Sequence, residues 1–125
     1  MVKSEEKKML NVYCYSRCST CKKALKWLDE KGIAYRTIEI KENHPDADTL
    51  RKYHAMSGLP LKRFWNTSGI PYREMGLSKK LKEMSEDEQF ALLATDGMLV
   101  KRPLLVSEDF VLTGFKADEW AEKLL

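Results

Sequence analysis

Two of the three cysteines, Cys18 and Cys21, stand in a C-x-x-C spacing. The pair follows an apolar strand-like run, Met9-Leu10-Asn11-Val12-Tyr13-Cys14-Tyr15, and opens an amphipathic helical pattern that starts at Ser19. A sulfur at a helix N-terminus faces unpaired backbone N–H groups and the positive end of the aligned peptide dipoles, which favours the thiolate over the thiol. The thiolate is the nucleophile, and a second sulfur one turn later can close a disulfide on the first. An odd cysteine count argues against a static disulfide scaffold. In a reducing compartment a C-x-x-C pair is catalytic, redox-sensing or metal-binding. The metal reading is the weakest, because the two histidines that would complete a zinc site, His44 and His54, are ten residues apart and lack the close spacing of structural zinc ligands.

Other candidate groups have plainer roles. Cys14 reads as a buried inert thiol at a strand end, although its four-residue distance from Cys18 leaves an alternative disulfide open. Trp27, Trp65 and Trp120 read as packing residues. Glu86, Asp87 and Glu88 suit the first turn of a helix, not acid–base catalysis. Lys22 and Lys23 add positive potential beside the cysteines, while Lys79, Lys80 and Lys82 read as a solvated loop.

The elements that must position the cysteines follow from periodicity. Residues 9–15 read as a first strand. Cys21, Ala24, Leu25 and Leu28 recur at helical spacing, with Lys22, Lys23, Lys26 and Glu30 outside and Gly32 as terminator. Residues 34–40 alternate and form a second strand, so the first unit is βαβ with parallel strands. A helix opens at His44-Pro45-Asp46 and runs to about Met56. Short helical turns and loops, without strands, are expected up to Ser85, where Ser85 and Glu88 match a capping box. The helix they start ends near Gly97. Leu104-Leu105-Val106 and Phe110-Val111-Leu112-Thr113 flank a polar turn as a hairpin, and 117–125 closes the chain as a helix with Trp120 and Leu124 on one face. The order βαβ, helices, ββα is that of an α/β thioredoxin-like fold with a helical insert over 44–97.

The chain has 125 residues, 43% hydrophobic and 33% charged, which suits one soluble domain over 1–125 with residues 1–8 as a disordered tail. A net charge of +3, from 22 basic and 19 acidic residues, is too small to argue for direct nucleic-acid binding. No signal-peptide pattern and no run of roughly 20 apolar residues is visible, so a cytoplasmic protein without membrane contact is expected.

Arg102-Pro103 precedes the first hairpin strand. Proline suits a strand's first residue because it cannot donate to the ladder. In thioredoxin-like folds this position is a cis-proline facing the active cysteine, which would bring Arg102 to the Cys18 sulfur as a planar donor fork for an oxyanion or carboxylate.

Tyr13-Cys14-Tyr15-Ser16-Arg17-Cys18-Ser19-Thr20-Cys21-Lys22-Lys23-Ala24, together with Phe64-Trp65-Asn66-Thr67-Ser68-Gly69, Lys101-Arg102-Pro103-Leu104 and Gly114-Phe115, resembles the arsenate reductase (ArsC)-like family, in particular its Spx/MgsR-type branch. The resemblance runs from Met9 to Trp120. It implies that Cys18 is the nucleophile and that Arg102 and Pro103 are the family's arginine and cis-proline. The Cys21 position is cysteine in Spx-like regulators rather than in the enzyme group. Cys21 is expected as the resolving cysteine, and Arg17 and Asn66 are expected to bind substrate beside Arg102 and Pro103. Glutaredoxin-coupled arsenate reductases of the family bind their oxyanion with three arginines. This chain matches only Arg102, with Asn66 roughly at the second position and Phe115 roughly at the third. Each missing charge-assisted contact is worth about 1.5–3 kcal/mol, which weakens the case for arsenate itself. The expectation is a thiol oxidoreductase acting on a disulfide, a glutathione adduct or an oxyanion. It would have no tightly bound cofactor or metal and would draw electrons from glutathione, thioredoxin or glutaredoxin. The alternative is an Spx-like redox switch that contacts the α-subunit of RNA polymerase.

Overall fold

The computed structural model describes residues 10–125. The expected tail over 1–8, and Met9 of the first strand, lie outside the described residues. β1 (Leu10–Cys14) pairs in parallel with β2 (Tyr35–Glu39), in the register Leu10↔Tyr35 through Cys14↔Glu39. β1 also pairs antiparallel with β3 (Leu104–Val106), which pairs antiparallel with β4 (Val111–Thr113), giving the order β2-β1-β3-β4. α1 (Ser19–Glu30) crosses between the parallel strands, and α6 (Ala117–Leu124) follows the hairpin. This is the thioredoxin-like α/β arrangement.

Alternation along the strands splits the core in two. Leu10, Val12 and Cys14 face α1 and α6, where they pack with Cys21, Ala24, Leu28, Leu105, Leu112 and Trp120. Tyr13, Leu104 and Val106 face the opposite side and join Ile40, Leu50, Phe64, Trp65 and Phe90 from the helical segment between β2 and β3. The sheet is therefore covered on both faces, as its parallel pair requires.

That segment holds α2 (Ala47–Ser57), α3 (Ile70–Glu74), α4 (Leu77–Lys80) and α5 (Glu86–Leu93), with 3-10 turns at Leu61–Phe64, Leu81–Glu83 and Gly97–Leu99. α2 begins later than expected because Asp46 is its N-cap, accepting the Thr49 N–H at 2.8 Å, and His44 and Pro45 precede the helix. The Ser85–Glu88 capping box forms in both directions, at 3.1 and 2.8 Å. Lys79 and Lys80 close the short helix α4 instead of lying in a loop. One extended contact occurs where none was expected: Trp65 bridges Val100 antiparallel. It is flanked by Asn66 N–H to Leu99 O at 2.8 Å and Lys101 N–H to Phe64 O at 2.9 Å. This bridge ties the 64–66 segment to the residues leading into β3. Among the described residues no helix is long and apolar enough to cross a membrane.

Candidate functional site

Cys18 is the N-cap of α1, with extended backbone angles of φ −88° and ψ 118°. Its Sγ accepts the backbone N–H of Cys21 at 3.5 Å, and its own N–H donates to Tyr15 O at 2.9 Å. The loop is thus pinned so that the sulfur occupies the position a serine or aspartate side chain takes at an ordinary helix start. No acidic residue lies in the first turn of α1, so no carboxylate competes for those donors. Cys18 is partly exposed, whereas Cys14 and Cys21 are buried, and all three are free thiols.

Cys21 lies one turn into α1, only 1% exposed. It shares a buried cluster with Cys14, and the Cys14 side chain together with burial pushes its pKa well above the ordinary thiol range. Contacts with the Tyr15 backbone and the Cys18 side chain pull the other way without reversing the rise. The C-x-x-C pair is therefore asymmetric, with one accessible sulfur served by a backbone donor and one buried thiol that holds its proton.

The Arg102–Pro103 peptide is cis, and the Pro103 carbonyl accepts the Gly114 N–H at 2.8 Å, fixing the start of β3 to the end of β4. Arg102 reaches back along its own segment. Its Nη1 donates to the Met98 and Val100 carbonyls at 3.3 and 3.4 Å, and its guanidinium sits 5.5 Å from the centre of the Tyr15 ring. Its Nε is buried with no hydrogen-bond partner. Tyr15 is the residue whose carbonyl holds the Cys18 N–H, so Arg102 packs on the cysteine loop through Tyr15. Asn66 Nδ2 also donates to Met98 O, at 3.4 Å, which places the two expected substrate-binding residues side by side. Arg17 is not part of that group. It lines a separate hollow of about 220 Å³ with Tyr15, Ser16, Glu39, Lys41 and Glu42. Phe115, at the third expected position, packs edge-on against Trp120 and Trp27 with ring centres 5.0 and 6.1 Å away. An aromatic cluster stands there in place of a cation.

A groove of about 490 Å³ runs past the start of α1 and is lined by Thr20, Trp65, Thr67, Thr113 and Phe115 and by four cations, Lys62, Arg63, Lys101 and Lys116. Glu119 pairs with Arg63 at 3.1 Å and approaches Lys116 at 4.0 Å. Lys62 and Lys101 have no ion-pair partner among the described residues, so the groove keeps an excess of positive charge. Of these cations only Lys101 lies in a motif that the sequence singles out. Lys62 and Lys116 carry no linear signal, because it is the Trp65–Val100 bridge and the hairpin that bring their segments together.

The metal reading finds no support in the geometry. Among the described residues no three His, Cys, Asp or Glu side chains converge as a metal site requires. His54 instead packs edge-on against Phe64 and tilted against Phe90, with ring centres 5.7 and 5.6 Å away. Trp65 and Trp120 are buried and Trp27 is partly buried against Phe115 and Trp120.

Comparison with known proteins places these features in a lineage. Residues 13–123 match the ArsC family. YusI of Bacillus subtilis is 50% identical over 113 residues, covering 90% of this chain and 96% of that protein. The crystal structure of an ArsC family related protein from Bacteroides fragilis superposes with a TM-score of 0.89 at 50% identity, covering 93% of this chain and 98% of that one. A Streptococcus mutans structure described as a possible arsenate reductase gives 0.82 at 45% identity, covering 91% and 98%. More distant is the global transcriptional regulator Spx 2 of Bacillus anthracis, 23% identical over 111 residues, covering 89% of this chain and 83% of that protein.

Proposed function

The chain belongs to the ArsC family, and from that premise we propose that it is a thiol oxidoreductase with Cys18 as its nucleophile. The observation that carries this reading is the position of Cys18 Sγ, partly exposed at the N-cap of α1 and accepting the Cys21 N–H. That donor is fixed in place and needs no reorganisation as the sulfur reacts.

In the first step the Cys18 thiolate attacks one sulfur of a substrate disulfide, such as a glutathione adduct. The new bond is a mixed disulfide, and the other substrate sulfur leaves as a thiolate. Cys21 then attacks Cys18 Sγ, its proton passing to the departing substrate sulfur, which leaves as a thiol, and Cys18–Cys21 is left oxidised by two electrons. An external thiol, from glutathione, thioredoxin or glutaredoxin, restores the dithiol. Cys21 is buried and holds its proton in the resting protein, so it must deprotonate before it can resolve the intermediate. No tightly bound cofactor is needed for this cycle, and it suits a cytoplasmic protein.

Arg102 and Asn66 contribute one cation and one amide beside the Tyr15–Cys18 loop. That set suits a single carboxylate better than a doubly charged oxyanion, so arsenate is not the proposed substrate. The cationic groove beside Thr20 and Phe115 suits the remaining acidic groups of a peptide thiol. The test is steady-state reduction of a glutathione mixed disulfide by purified protein and its Cys18→Ser variant. Turnover that falls to background in the variant supports the assignment, and unchanged turnover overturns it.

A second reading is a redox switch that contacts the α-subunit of RNA polymerase. The C-x-x-C pair and the similarity to Spx 2 favour it. Oxidation-dependent retention of the chain on the carboxy-terminal domain of the polymerase α-subunit would support it, and no retention in either redox state would remove it.

A further inference from the structure

Cys14 has no part in the two-cysteine cycle, yet the fold brings it to the reacting pair. Alternation along β1 turns its side chain toward α1, into the same buried cluster as Cys21. The two thiols together line a mainly apolar cavity of about 190 Å³ between β1, α1 and β2. Cys18 does not line this cavity. Glu39 does. It is the register partner of Cys14 across the parallel ladder, so its side chain leaves the sheet on the same face. Its Oε2 is buried and has no hydrogen-bond partner. Glu39 as a whole is half-buried and also lines the hollow of Arg17 and Lys41, and its unpaired oxygen gives the thiol cavity a carboxylate able to accept a proton.

We propose that Cys14 is a third redox thiol, which receives the disulfide from the Cys18–Cys21 pair and returns Cys18 to its reduced state. This rests on the function proposed above. In the step, Cys14 Sγ attacks Cys21 Sγ. The Cys14–Cys21 bond forms, the Cys18–Cys21 bond breaks, and Cys18 leaves as a thiolate. The Cys14 proton passes to the Glu39 carboxylate. No electrons enter or leave, because the substrate has already oxidised the pair. Of the two sulfurs in the Cys18–Cys21 bond, Cys18 is the better leaving group, since the Cys21 N–H is already aimed at it. Attack on Cys21 is also the geometrically direct route, because Cys21, and not Cys18, shares the cavity with Cys14. The outcome is a protein that stores one disulfide in its interior while Cys18 faces the next substrate.

The experiment is disulfide mapping by mass spectrometry after reduced full-length protein meets excess oxidised glutathione. A Cys14–Cys21 disulfide together with a glutathione adduct on Cys18 supports the relay. A Cys18–Cys21 disulfide with free Cys14 overturns it, as does a glutathione adduct on Cys18 with all other thiols free. Both of those results leave Cys18 as the nucleophile. A Cys18 that never reacts instead overturns the function on which the relay depends. In Cys14→Ala the Cys18–Cys21 disulfide should accumulate and the second oxidation should disappear. Glu39→Gln removes no hydrogen bond from Oε2. It should slow formation of the Cys14–Cys21 disulfide at least about tenfold at neutral pH, with recovery at alkaline pH. An unchanged rate removes Glu39 from the step. The wild-type map decides the relay even if a variant folds poorly.

Discussion

Asn66 and Arg102 donate to one and the same oxygen, the Met98 carbonyl, at 3.4 and 3.3 Å. The shared acceptor fixes the spacing of the two groups and directs both along the segment that leads into β3. Around it stand one guanidinium braced on Tyr15, one amide, and, at Phe115, an aromatic cluster.

The first prediction concerns that deficit of charge. Asn66→Arg adds a cation beside Arg102 and should strengthen binding of a doubly charged oxyanion by about 1.5–3 kcal/mol, the worth of one charge-assisted contact. Titration of arsenate against the variant and the parent protein measures it. Equal affinities would show that the 66 position does not face the anion.

Arg102→Ala removes the one guanidinium of the set. Turnover of an acidic mixed disulfide should drop about tenfold in kcat/KM, in line with loss of one charged hydrogen bond. An uncharged disulfide such as bis(2-hydroxyethyl) disulfide should be affected much less. Comparing the two substrates separates loss of recognition from a damaged loop, which would slow both alike.

Stability should depend on alkaline pH through Cys21 and Tyr13. The Cys14 side chain and burial raise the Cys21 pKa, and burial with the Tyr53 hydroxyl at 3.1 Å raises that of Tyr13. Both groups hold their protons more tightly when folded. Their contribution is complete below the unfolded values, about 8.5 for a thiol and 10 for a phenol, and is lost as pH climbs beyond them. Denaturation midpoints should therefore fall as pH rises from about 8.5 upward. Cys21→Ala should flatten the portion between about 8.5 and 10, and an unchanged slope there would count against the buried-thiol description.

A packing prediction tests the junction between β2 and β3. At Gly97 a Cβ would lie 2.1 Å from the Ile40 carbonyl oxygen and 3.0 Å from His44 Cβ. Backbone atoms cannot yield as a side-chain tip can, so Gly97→Ala should cost about 1–3 kcal/mol, the usual range for overpacking. Urea denaturation would measure it.

Much of this arrangement is written in local sequence signals. The strand run before Cys18, the helical spacing of Cys21, Ala24 and Leu28, and the Ser85–Glu88 box each depend on neighbours a few residues away, and each formed. What escaped is non-local. The bridge between Trp65 and Val100 depends on two segments meeting across the helical insert, and no period in either segment announces it. The cations of the groove are scattered between positions 62 and 116 and converge only through that bridge and the hairpin. The meeting of Cys14 and Cys21 in one cavity needs both the alternation of β1 and the packing of α1 on that face. Reading Cys14 as buried matched the structure, but burial did not reveal which thiol lay beside it.

Site-resolved mass spectrometry of the reduced protein after a brief exposure to one equivalent of oxidised glutathione tests the central claim most directly. The account predicts that the first adduct forms on Cys18, the partly exposed N-cap sulfur, before any change at Cys14 or Cys21. A first adduct on either buried thiol, or none at Cys18, would contradict it.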